Sequence, residues 1–280
     1  MMKKTLLSAL LIGSISLTGC STLSNLIEKP DDQKTVEDFY GSAMEAFEEK
    51  QWDVAIENYE KLKAYFPYGS YAEQTYLELA YAYYKYDESE SAIRELDEFI
   101  RLYPNHPEIA YAYYLRAVSA DSITRSWLDK FITDPATRDI KSAIRAYDYY
   151  TQLIQRFPSS KYAVAAAERL IVLRNQQARH EIQVAEFYMN KMAYLAAANR
   201  AKVVLTDFPR SASTAQALKI LVTAYDKLGM QENKTSVEEV YKLNQDKIEF
   251  SEKTLEDMKE LADKDGGWWN GLMEGLQGIF

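Results

Sequence analysis

Residues 55–67 read Ala55-Ile56-Glu57-Asn58-Tyr59-Glu60-Lys61-Leu62-Lys63-Ala64-Tyr65-Phe66-Pro67, and the phase of this stretch recurs along the chain. An aromatic residue precedes proline again at Tyr103-Pro104, Phe157-Pro158 and Phe208-Pro209. Twelve positions before the four prolines stand Ala55, Ala92, Ala146 and Ala197, and five before them stand Leu62, Phe99, Leu153 and Val204. Small residues let two helices approach closely, and proline blocks continuation of the second helix. A preceding helix is marked by Ala43, Ala80 and Ala185, each 24 residues before its proline, with Tyr40, Leu77 and Ile182 three residues earlier.

Paired helices in register with a proline stop resemble the tetratricopeptide motif, stretched slightly beyond its usual length. The proline spacings are 37, 54 and 51 residues. The excess in the second interval falls between the two helices of repeat three, near Asp121 to Ser142. The excess in the third lengthens a first helix, because Lys161 to Met189 has no Gly or Pro and sustains apolar spacing through Ala165, Leu170, Leu173, Ile182 and Ala185. A fifth pair runs from Ser213 to Leu228, turns at Gly229 and resumes from Glu232 to Asn244. Thr35–Asp38, Ser70–Glu73 and Ser236–Glu239 have the spacing of capping boxes. No alternating strand pattern of useful length occurs. The expected fold is all-α, a right-handed α-solenoid of about five tetratricopeptide-like repeats over residues 35–245, each contacting chiefly its neighbours and leaving a concave groove.

At the amino terminus, Lys3 and Lys4 precede an apolar stretch from Leu6 to Leu17, too short to span a bilayer as a helix. It ends in Leu17-Thr18-Gly19-Cys20, which resembles the lipobox of bacterial lipoproteins. The resemblance implies a signal peptide over 1–19, cleavage before Cys20 and lipidation of its thiol, with 20–34 as a tether. By the same resemblance, Ser21 after the cysteine implies sorting to the outer membrane, with the chain facing the periplasm. Cys20 is the single cysteine, so an acylated chain forms no disulfide. The chain carries 33 Lys and Arg against 42 Asp and Glu; without Lys3 and Lys4 the balance is 31 against 42, a net charge of −11. Such an acidic surface argues against nucleic-acid binding, which relies on clustered basic residues.

Catalytic chemistry is thin. His106 and His180 are the only histidines, far apart in sequence, with no third ligand or nucleophile beside either. There is no glycine-rich phosphate loop, and the carboxylates read as a solvated face. No enzyme activity, metal or cofactor is expected, and the repeats leave no room for a murein-hydrolase domain.

Tyrosine stands out instead, with 22 residues concentrated at Tyr76, Tyr81, Tyr83, Tyr84 and Tyr86 and at Tyr111, Tyr113 and Tyr114. Rings at consecutive helical positions cannot all face one core, so several are expected to line a groove, where tyrosine suits recognition of extended peptides. Packing between repeats is the competing reading. On the first reading the groove comprises Phe66, Tyr68, Gly69, Tyr81 and Tyr84, with aromatic edges beside an unobstructed glycine backbone.

Residues 66–117, FPYGSYAEQTYLELAYAYYKYDESESAIRELDEFIRLYPNHPEIAYAYYLRA, resemble the BamD family, lipoproteins of the β-barrel assembly machinery. The likeness continues at FPSSKYAVAAAERLIVL (157–173), VAEFY (184–188) and AANRAKVVLTDFP (197–209). It implies a non-enzymatic periplasmic adaptor whose amino-terminal repeats receive unfolded outer-membrane proteins. Its carboxy-terminal repeats would dock on the barrel-forming subunit, with accessory lipoproteins as further partners. The family's Asn-Arg pair at that dock maps to Asn199 and Arg200. A tetratricopeptide lipoprotein acting on peptidoglycan or DNA uptake is the alternative. The segment 121–142 departs from better-known members, as does the extension 246–280. The extension holds a charged helix, a Gly266-Gly267 break, and a one-sided apolar run through Trp268, Trp269, Leu272, Met273, Leu276 and Phe280. That run is expected to dock on a protein groove rather than a membrane, since it lacks basic flanks.

Overall fold

The computed structural model describes residues 29–123 and 140–244. Ten α-helices and one 3-10 turn, Asp31–Gln33, make up these residues, with no strand among them. The helices are α1 Val36–Glu48, α2 Trp52–Tyr65, α3 Ala72–Lys85, α4 Ser89–Leu102, α5 Ile109–Ser122, α6 Lys141–Arg156, α7 Lys161–Asn190, α8 Tyr194–Asp207, α9 Thr214–Lys227 and α10 Gln231–Leu243. They form two compact units divided inside α3, between Ala82 and Tyr83.

In the first unit Thr35 caps α1 through a full capping box. Its hydroxyl accepts the Asp38 N–H, and the Asp38 carboxylate accepts the Thr35 N–H. This is the box read from the sequence, and it satisfies two of the four amide donors that a helix start leaves without partners. Helices α1 and α2 pack with Ala43 and Ala55 fully buried. Around that close approach, Phe39 stacks on Tyr65 at 5.4 Å and Phe47 meets Trp52 edge-on at 5.4 Å.

In the second unit each helix packs on its neighbours in sequence, and α5 and α9 also touch α7. This nearest-neighbour packing is how helical repeats hold together. The alanines twelve positions before the prolines, Ala55, Ala92, Ala146 and Ala197, are all fully buried, and Leu62, Phe99, Leu153 and Val204 are at most 2% exposed. The fold is the all-α tetratricopeptide-like repeat that the proline phase predicts.

A second regularity is invisible in the residue types. Lys50, Asp87 and Met192, each seventeen residues before its proline, adopt φ of 61°, 68° and 57°, and Gly229 takes φ 70° at the corresponding turn of the last pair. At each, the residue's N–H bonds three residues back and the next N–H five back. Lys50 donates to Phe47 and Gln51 to Ala46; Met192 donates to Met189 and Ala193 to Tyr188. This is the Schellman closure of a helix end. A left-handed residue other than glycine costs roughly 1–2 kcal/mol, and the turn retains that strain because its two hydrogen bonds satisfy carbonyls the helix end would leave open.

Three expectations need correction. Ser236 does not start a helix: it lies inside α10, where its hydroxyl donates to the Glu232 carbonyl at 3.0 Å, and the helix begins at Gln231. Helix α3 begins at Ala72, one residue later than a Ser70 cap would place it. Of the two readings of the tyrosine clusters, lining a groove gives way to packing for most of them. Tyr76, Tyr81, Tyr83, Tyr111, Tyr113 and Tyr114 are all 7% exposed or less. The physical reason is clearest in α5, which is covered by α4, α6 and α7 together. A helix enclosed on several sides has no outer face to which its rings could be turned.

Enclosure also buries polar groups. Arg116 on α5 lies between the rings of Tyr113 and Tyr149 and donates to Asp97 at 2.7 Å and Gln152 at 2.8 Å. Asp121, at the end of the same helix, accepts a two-pronged bond from Arg169 on α7, Nε at 2.6 Å and Nη2 at 2.8 Å.

Candidate functional site

Arg200 and Asn199 lie on α8, and both are exposed. Alanines build the seam beneath them. Ala178 and Ala185 of α7 and Ala197, Ala198 and Ala201 of α8 are buried in one cluster, so the two helix backbones run close. Arg200 stands at the edge of this seam and reaches across it. Its Nη1 lies 3.2 Å from Glu181 Oε2 and 3.4 Å from Oε1. Arg200 is 46% exposed at its side chain and Glu181 14%. A half-solvated ion pair of this kind contributes only about 0.2–1 kcal/mol. Glu181 therefore orients the guanidinium without committing it, and the remaining donors of the fork stay available to a carboxylate from outside.

The same helix carries Leu195, 58% exposed and four residues before Asn199, and the preceding turn carries Met192 at 75%. Phe187, at the end of α7, is 56% exposed under the Lys191 ammonium at 5.7 Å. Apolar side chains beside an arginine are the residue types that carry energy at protein interfaces. Reading the sequence missed Leu195, Met192 and Glu181. Leu195 stands out of phase with the buried Ala197, Ala201 and Val204, and that misfit is the signal that could have found it.

The groove residues do not come together as expected. Phe66, Tyr68 and Gly69 share the turn between α2 and α3. Phe66 is half-buried, its N–H bonded to the Leu62 carbonyl and its ring tilted against Phe39, whereas Tyr68 is 88% exposed. Gly69 has φ 138°, a conformation that side chains disfavour, and the space its Cβ would occupy is open. Tyr81 is corrected outright. At 2% exposure it packs on Phe47 and Trp52, with ring centroids 5.5 and 6.0 Å away, and offers a bound chain nothing. Tyr84 is half-buried and lies in the second unit.

The first unit also holds an unexpected buried carboxyl. Glu78 is fully buried and accepts from the Tyr40 hydroxyl at 3.1 Å and Gln74 Nε2 at 2.7 Å. Burial pushes its carboxyl above the usual range, against the opposing pull of those hydrogen bonds. The Tyr40 ring in turn stacks on Tyr71 at 4.2 Å.

His106 is placed for structure rather than chemistry by the contacts it makes. Its Nδ1 accepts the Glu108 N–H at 3.0 Å, and its ring meets Phe99 edge-on, which is a turn-closing role. Among the described residues no cluster of His, Cys, Asp and Glu could hold a metal ion, and no helix is long and apolar enough to cross a membrane. Cys20 and the run from Trp268, Trp269, Leu272 and Leu276 to Phe280 lie outside the described residues, as does most of the 121–142 segment.

Similarity to known proteins extends over most of the chain. The family model YfiO, described as an outer membrane lipoprotein, matches residues 32–240. The outer membrane protein assembly factor BamD of Neisseria meningitidis serogroup A is 36% identical over 254 residues, 89% of this chain and 94% of that protein. The protein of the same name from Vibrio cholerae serotype O1 is 32% identical over 245 residues, 87% of this chain and 99% of its relative. Among solved structures, the crystal structure of MamA protein aligns at a TM-score of 0.31 and 16% identity, covering 77% of this chain and 94% of that one, and carries no weight here. A match to the family model over residues 32–240, and to relatives over nearly their full length, places this chain in the outer membrane lipoprotein family that includes the assembly factor BamD.

Proposed function

We propose that the protein is a non-enzymatic adaptor of outer-membrane β-barrel assembly, anchored by lipid on Cys20 at the periplasmic face of the outer membrane. It binds unfolded outer-membrane proteins through the first repeats and docks through Arg200 and Asn199 on the barrel-forming subunit of the machinery. The observation that carries this reading is similarity over almost the whole length of relatives that bear the name outer membrane protein assembly factor. The exposed Arg200, oriented yet weakly held by Glu181, supports the docking half. The exposed Tyr68 beside the open backbone of Gly69 supports the client half.

The decisive experiment is affinity purification of this chain from detergent-solubilised membranes. The large barrel subunit is expected to co-elute. Sedimentation with purified peptidoglycan, without the barrel subunit, would favour a cell-wall role instead.

Client binding has its own expected result. A photocrosslinking residue at Tyr68 should capture carboxy-terminal peptides of outer-membrane proteins, while one at Tyr81 should capture none, because that position is sealed between Phe47 and Trp52. Capture confined to positions on α7 to α10 would reverse the assigned polarity.

A further inference from the structure

Glu78 on α3 is fully buried, yet among the described residues the groups that act on its carboxyl, Gln74, Tyr59 and Tyr40, include no cation. Its Oε1 takes two bonds, from the Tyr40 hydroxyl of α1 at 3.1 Å and from Gln74 Nε2 at 2.7 Å, while the equally buried Oε2 has no partner among those residues. Tyr59 of α2, also fully buried, closes the site with its hydroxyl 3.9 Å from the Met44 sulfur. A carboxylate without a cation is costly in such surroundings, and an acid there keeps its proton instead. One oxygen taking both donors suits the carbonyl of a neutral acid, with the O–H at Oε2. Burial pushes the carboxyl above its usual range, and the hydrogen bonds from Gln74, Tyr59 and Tyr40 only partly oppose that push.

Tyr40 connects this acid to the turn between α2 and α3. Its ring stacks on Tyr71 at 4.2 Å, with the planes 16° apart. The Tyr71 carbonyl accepts the Thr75 N–H at 2.9 Å and the Thr75 hydroxyl at 2.7 Å, and Thr75 is itself buried. Two residues earlier the Gly69 carbonyl accepts the Ala72 N–H at 3.2 Å. The turn that presents Tyr68 to solvent is thus anchored at its end by one ring, and that ring rests on a phenol held by Glu78.

We propose that Glu78 is the positioning residue of the turn 66–71: as a neutral acid it holds Tyr40 against Tyr71, and its ionisation releases the turn. The inference rests on the reading of that turn as the client site. Because the carboxyl of the folded protein is raised above its unfolded value, the stabilisation is complete below the ordinary glutamate value of about 4.3 and is lost as pH rises through the raised one. The other titratable groups facing Glu78 do not share that window. Burial, the largest cause, holds the hydroxyls of Tyr40 and Tyr59 well above the usual phenol range; Tyr71 acts on Tyr40, and Glu48 on Tyr59, by charge alone. Both histidines, His106 and His180, lie in the second unit.

The test follows the full-length protein in detergent, its glutamates 13C-labelled at the carboxyl, from about pH 4 to about pH 8. The carboxyl signal that disappears in Glu78→Gln is expected to titrate above the ordinary glutamate value. Protection of the amides in 66–76 against hydrogen exchange is expected to fall over the same range, by up to about tenfold for each pH unit. Glu78→Gln keeps an oxygen to accept from Tyr40 and Gln74 and has nothing to ionise, so its protection should not follow pH. Tyr40→Phe keeps a ring on Tyr71 and cuts the link to the acid, so the carboxyl should still titrate high while the turn no longer follows it. A carboxyl that titrates at the ordinary value would overturn the proposal, and so would a turn whose protection in Glu78→Gln or in Tyr40→Phe follows pH as in the unaltered protein. These readouts need no client, so a failure of client capture at Tyr68 would bear on the proposed function alone.

Discussion

Replacing Arg200 with alanine should weaken capture of the barrel-forming subunit by roughly 30- to 5000-fold while leaving the helices intact, because at a protein interface a hydrogen-bonded charge pair that is desolvated on docking costs about 2–5 kcal/mol when one partner is truncated. Much of that cost is the penalty of leaving the other charge unpaired. In the free protein the same arginine has little to lose. Its bond to Glu181 is half-solvated and contributes about 0.2–1 kcal/mol. The two magnitudes separate the roles: binding should fall steeply and thermal stability hardly at all. Arg200→Lys is expected to recover only part of the affinity, since an ammonium keeps the charge and loses the planar fork. Unchanged affinity alongside native helical content would mean that the proposed dock does not use Arg200. Glu181→Gln supplies the complementary measurement. Affinity should change little if Glu181 only orients the guanidinium, and should fall as far as in Arg200→Ala if the pair acts as a unit.

The largest stability effect is expected at Asp121 and Arg169, whose side chains are 3% and 12% exposed. Burial disfavours the charged guanidinium, and the adjacent carboxylate outweighs that cost and holds Arg169 protonated. Removing one member strands the other as a buried unpaired charge, which costs about 3–5 kcal/mol. Arg169→Ala should therefore lower the urea midpoint of the second unit sharply. The double variant Asp121→Leu with Arg169→Met should regain most of the loss, because similarly sized apolar groups need no partner. A double variant no better than Arg169→Ala would show that the pair fixes the packing of α5 on α7 and does more than neutralise itself. Arg116 offers an internal comparison. It is also buried on α5, yet its partner Asp97 is half-exposed and its stacked rings remain whatever happens to that carboxylate, so Asp97→Ala should cost less.

Much of this was legible in the chain. The proline phase located the helix pairs, because proline ends a helix for a local steric reason that no tertiary contact alters. The alanine positions located the close approaches, since a fully buried crossing admits only a small side chain, and Ala43, Ala55, Ala80, Ala92, Ala146, Ala185 and Ala197 are all fully buried. The length of α7 followed from the absence of any breaker between Lys161 and Asn190. The tyrosines failed for the opposite reason. Periodicity tells which residues share a face, but the number of faces a helix buries depends on how many neighbours surround it. Tyr81 is therefore core where the groove reading expected it to be open, whereas Tyr68, in a turn, is exposed.

The helix pairs, their stops, the small-residue crossings and the family could all be read from the residues alone, because they depend on short-range sterics or on residue identity over long stretches. It took the folded chain to show that α5 is enclosed, that Arg200 leans on Glu181, that Asp121 meets Arg169 and that the buried Glu78 accepts from Tyr40. Folding also revealed one turn geometry shared by Lys50, Asp87, Met192 and Gly229, four residues with no chemistry in common. These features join residues 19 to 48 positions apart, or impose a backbone shape through two hydrogen bonds, and neither kind of constraint leaves a local mark on the chain.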